Sequence, residues 1–168
     1  MNENTKRHTH HREGVISAVS AGCFLILIGF IFATSLNVGN VTRFLENIDA
    51  IQVAHTGIYL PAPRNPSAHT VLYSAVELFS LIWAFFEIAF LGLRFAFNAT
   101  PGRKAENAGN IVFWFGTYYL IGKYLVNISV ITGEAHTSWF SFWAILIALI
   151  GVTLIVRAIV LAALTYKR

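Results

Sequence analysis

Four ionisable side chains stand where such groups are costly. Glu77 and Glu87 share one long apolar stretch, Lys123 lies in a second and Arg157 in a third. Placing an ionised group in hydrocarbon costs about 2.5 to 3.5 kcal/mol on insertion scales, so each should face other helices and find a counter-charge. At about 1.5 Å of rise per residue, Glu77 and Lys123 differ in depth by only about 4.5 Å, in the outer half of the layer. Glu87 and Arg157 each lie ten residues from the inner ends of their stretches. Two acids on one helix matched to bases on two others predict the intramembrane pairs Glu77–Lys123 and Glu87–Arg157, which would set helix register. The same four groups are those a proton, ion or small-solute carrier would use. Glu87 and Arg94, seven apart on one stripe with Trp83 a turn before, add a polar seam to an aromatic helix.

The other chemistry-bearing residues are histidines. Ala-His-Thr occurs three times, around His55, His69 and His136, with Glu134 close to the last. Three imidazoles are a donor set for zinc or copper, and a metal-binding protein or membrane enzyme would place its site there. None of them forms an i, i+4 pair, so the plainer expectation is that they bond loop backbone at helix entrances and that no cofactor is held.

The elements that carry these residues follow from composition. Of 168 residues, 56% are apolar and 12% charged, and the mean hydropathy is +0.62. Soluble domains carry roughly 25% charge, so the expected solvent is a lipid bilayer. The net charge of +4 is scattered between apolar blocks, which excludes a nucleic-acid stripe. A lone Cys23 inside an apolar run excludes an internal disulfide and is not placed as a redox thiol. Phosphate-binding and nucleophile-elbow motifs are absent, and nothing in the chain marks a catalytic residue.

Crossing a bilayer takes about 20 mainly apolar residues. Four stretches qualify: about Gly14 to Thr34, Val71 to Phe97, Asn110 to Thr132 and Ser138 to Tyr166. The first could pass for a signal peptide but is too long and lacks a small-residue cleavage site, so it reads as a retained span. Eight lysines and arginines fall on one side, in the basic tail 1–13, the 94–109 connection and the carboxyl end; only Arg43 and Arg64 fall on the other. That bias predicts both termini in the cytoplasm. Ala18 and Gly22, with Gly29 a heptad on, suggest a close-packing face on the first span.

The outer loop 35–70 is too long for a plain link. Val41, Phe44, Leu45, Ile48 and Ile51 recur with helical spacing, predicting an amphipathic helix capped by Asn40 and lying in the interface. Pro61, Pro63 and Pro66 then predict an extended return. The expected fold is therefore all-α: a polytopic membrane protein of the cell membrane with four transmembrane helices in one antiparallel bundle (residues 14–168) and one interfacial helix. Unbroken spans favour a non-catalytic role as a small subunit or self-associating structural protein over transport, which usually employs broken helices.

Overall fold

The computed structural model describes residues 3–53, 56–127 and 135–166, with side chains from residue 14 onward. Helices α1 (Glu3–Thr34), α2 (Val38–Glu46), α3 (Thr70–Ala96), α4 (Pro101–Ile121) and α5 (Ala135–Tyr166) carry the fold, and a hairpin of β1 (Ile48–Gln52) and β2 (Tyr59–Pro63) lies between α2 and α3. A 3₁₀ turn, Pro66–His69, leads into α3, and a π-helical turn, Gly122–Val126, extends α4. The basic tail and the first span form one continuous helix.

Among the described residues three segments are long and apolar enough to cross a membrane: Gly14–Thr34, Pro66–Ala96 and Ala135–Tyr166. The remaining expected span, α4, does not meet that measure within its described residues. That helix begins at Pro101, and its first turns carry Arg103, Lys104, Glu106, Asn107 and Asn110, which dilute its apolar content. Its helical extension ends at Val126, short of the expected limit at 132; residues 128–134 lie outside the described set.

Even so, α4 packs along both α3 and α5. Two glycines set the closeness of the second contact. A Cβ on Gly116 would come within 2.6 Å of the Leu149 side chain, and one on Gly109 within 3.3 Å of Thr153. The turn between α3 and α4 is tight: Asn98 takes a left-handed conformation (φ 51°), which an asparagine tolerates better than most residues. Pro101 then starts α4 at a position where its missing N–H costs nothing.

Helix α1 meets α3 through Ile16, Leu27 and Ile31, which are buried with Ala75, Trp83 and Phe90. The Phe24 ring stands edge-on to Phe79 and Trp83 at 5.6 and 5.2 Å. The small-residue face is not used: open space surrounds the positions where Gly22 and Gly29 would carry a side chain. Branched and aromatic groups, not glycines, make this contact.

At the other end of the chain's outer loop, the amphipathic helix is shorter than its periodicity suggests. It starts from Asn37, whose side chain accepts the Asn40 N–H at 2.8 Å, so Asn37 and not Asn40 is the cap. Val41, Phe44 and Leu45 lie on it, but Asn47 ends it, and Ile48 and Ile51 belong to β1. This corrects the helical expectation for Ile48 and Ile51, in a chain that is otherwise mostly helical as expected. β1 pairs antiparallel with β2, Ile48 opposite Pro63 and Gln52 opposite Tyr59. Arg64 N–H to Asn47 carbonyl (2.8 Å) and Val53 N–H to Ile58 carbonyl (2.9 Å) bracket the ladder. Bonded pairs alternate between those ends, so Pro61 and Pro63 fall in the non-bonded positions, where a missing N–H breaks no ladder bond.

Candidate functional site

The polar groups at lipid depth collect on the seam between α3 and α4. Tyr73, Glu77, Ser80, Ala84 and Glu87 recur every three or four residues along α3, and of these Tyr73, Ser80, Ala84 and Glu87 are buried. Toward the C-terminal end of α3, Glu87 is 6% exposed. Its Oε2 accepts from Asn107 Nδ2 at 2.7 Å and its Oε1 from Asn110 Nδ2 at 3.1 Å; the Asn107 amide also reaches the Glu87 carbonyl at 3.3 Å. Asn107 and Asn110 project together because they are three apart on α4. Both carboxyl oxygens are therefore held by neutral amides, and Glu87 is not joined to Arg157. Arg157 is exposed on α5, its Cβ beside Gly109. Sequence reasoning missed the two asparagines because it sought a counter-charge; their i, i+3 spacing on the polar end of α4 was the available signal.

Toward the N-terminal end of α3, half-buried Glu77 lies directly over Gly122. A Cβ on that glycine would sit 2.5 Å from Glu77 Oε1. Gly122 opens the π-helical turn, which Asn127 closes with its backbone N–H and its side-chain amide both on the Gly122 carbonyl, at 3.2 and 2.6 Å. Lys123, next to it, turns outward: its ammonium stands 5.7 Å from the Tyr119 ring and 5.3 Å from the Tyr124 ring. Among the described residues the ion pairs are Arg64–Asp49 and Arg103–Glu106, at 3.0 and 3.1 Å, and Glu77–Lys123 is not one of them. Depth matching placed these groups at compatible heights, but a residue's direction around its helix was the deciding variable.

The cap formed by α2, the hairpin and the start of α5 gathers aromatic residues. Phe44, the centre of the α2 apolar face, stands edge-on to His69 and Tyr73 and tilted against Trp139. From α5, Trp139 Nε1 donates to the Pro61 carbonyl at 3.2 Å and His136 Nε2 pairs with the Pro63 carbonyl at 3.1 Å. Those two carbonyls point away from β1, so α5 covers the β2 edge of the sheet. An apolar cavity of about 550 Å³ opens between Phe44, Leu60, Trp139 and Ile147, and one of about 560 Å³ with mixed walls between Arg43, Glu46, Asn47 and His69.

His136 is thus committed to backbone, His69 packs among rings at 8% exposure, and His55 lies outside the described residues. Among the described residues no group of three His, Cys, Asp or Glu is arranged to hold a metal ion. Comparison with protein-family models, curated proteins and solved structures returns no match.

Proposed function

We infer that this is a multi-pass protein of the cell membrane with four crossings and both termini in the cytoplasm, acting through contacts with other subunits or with copies of itself rather than by catalysis. The carrying observation is the Glu87 clamp: the most buried charge-bearing group spends both oxygens on amides of the neighbouring helix. That is a use of polarity to hold two helices in register. The fourth crossing is α4, which runs between α3 and α5 and presents its polar first turns, with Arg103 and Lys104, at the cytoplasmic interface. Large apolar side chains of α5, among them Ile147, Leu154, Ile155 and Ile159, remain open to lipid or to a partner helix.

Native mass spectrometry of the protein released from nanodiscs tests the reading. A discrete assembly of defined copy number, or a stoichiometric second subunit, is expected; a single copy at all concentrations overturns it. In a Cys23→Ala background, Tyr59→Cys should react with a membrane-impermeant thiol reagent added outside and Arg103→Cys only after permeabilisation. The reverse pattern overturns the orientation.

A further inference from the structure

The α3–α4 seam treats its two carboxyls differently. Glu87 is saturated with donors, whereas Glu77 has no hydrogen-bond or ion-pair partner among the described residues, although it lies at a depth where an unpaired charge is unfavourable. What it has is room, since Gly122 leaves the space its Oε1 occupies. Two buried hydroxyls of α3 and α4 are in the same condition. Tyr73, one turn toward the outer cap on the same face of α3, and Thr117 on α4 are buried with oxygens that meet no partner. The ionisable groups facing this region are few. Lys123 turns to the tyrosine rings, His69 lies beyond Tyr73, α1 offers only Cys23 between residues 14 and 34, and α5 has none between His136, held by Pro63, and Arg157.

We propose that Glu77, seated on the glycine of the π-helical turn, is a proton-binding site reached from the outer face. The ligand is a proton and not a metal cation, because a hard cation needs about six oxygen ligands and one carboxyl with two hydroxyls supplies too few. A π turn at such a place fits the tendency of these irregularities to occur where helices do chemistry. This goes beyond the contact role, and the two stand apart experimentally, since copy number is blind to the protonation of Glu77.

The test uses the intact protein in lipid nanodiscs at neutral pH. A protonated carboxyl adds to dicyclohexylcarbodiimide, its oxygen bonding the central carbon and its proton passing to a nitrogen; the acyl group then shifts from oxygen to nitrogen as a stable acylurea. Tandem mass spectrometry should find this adduct on Glu77 at least about tenfold over Glu87, whose oxygens are held. It should disappear in Glu77→Gln and fall in Gly122→Ala, where a methyl takes the carboxyl's place. Infrared spectra of the unlabelled protein should show a protonated-carboxyl band that Glu77→Gln removes and alkali diminishes. Absence of the adduct, equal labelling of Glu87, or a band unchanged in Glu77→Gln each overturns the proposal.

Discussion

Asn107 Nδ2 stands 2.7 Å from Glu87 Oε2 and 3.3 Å from the Glu87 carbonyl oxygen, so one amide of α4 grips both the side chain and the backbone of α3. Asn110 completes the carboxyl's coordination from one turn further along. Two helices joined in this way cannot slide or rotate past one another without stranding a carboxyl in a dry interface.

That sets an order of sensitivity. Asn107→Ala should cost about 1 to 3 kcal/mol, because it leaves Oε2 unpartnered where water does not reach. Asn110→Ala should cost less, its bond being longer and only part-buried. Glu87→Gln should fall between, since an amide keeps acceptor capacity at one position alone. Unfolding in mixed micelles of increasing denaturing detergent checks the ranking, and equal midpoints for the two asparagine variants would contradict it.

Close approach of α4 to α5 at Gly116 makes a second prediction. A methyl there meets the Leu149 side chain, a flexible group that can move at a cost, so Gly116→Ala should destabilise by about 1 kcal/mol or more. In a Leu149→Ala background the same change should cost nothing further. Purely additive effects would show that the two side chains do not meet.

The hairpin carries the pH dependence. The Ala50 N–H and, after it, the Arg64 guanidinium hold the Asp49 carboxyl below the usual carboxylate range. A group depressed on folding contributes stability above its unfolded value and loses it as pH falls through the folded one. Protection of the 48–64 amides, their exchange rates taken relative to those of the unfolded chain at the same pH, should therefore fall in acid below about pH 4 and be flat above it. Asp49→Asn should remove that dependence.

Trp139→Phe tests the link between the hairpin and α5. It keeps a ring against Phe44 but removes the donor to Pro61. A loss of about 1 kcal/mol is expected. Faster exchange should appear in the hairpin and not along the seam of α3 and α4.

How much of this was legible depends on which variable the sequence encodes. The spans of α1, α3 and α5 follow from length and apolarity, which are sums along the chain and survive local detail. Ile48 and Ile51 were assigned to a helix because a spacing of three fits a helical face, yet β-branched residues followed by two prolines favour the extended chain they adopt. Depth arithmetic put Glu77 level with Lys123 but could not say which way Lys123 points, and it points to tyrosines. Asn107 and Asn110 went unread because neutral amides carry no charge to match. Gly122 was invisible as a seat for Glu77 until the π turn placed them together.

The prolines of β2 have one more effect. A strand invading from a neighbouring molecule would need N–H donors along the free margin of this sheet, and at positions 61 and 63 there are none, while the carbonyls beside them are already engaged by Trp139 and His136. The hairpin is thereby terminated on its β2 side: crowded copies can meet through their helices, but that margin offers no template for fibrous growth.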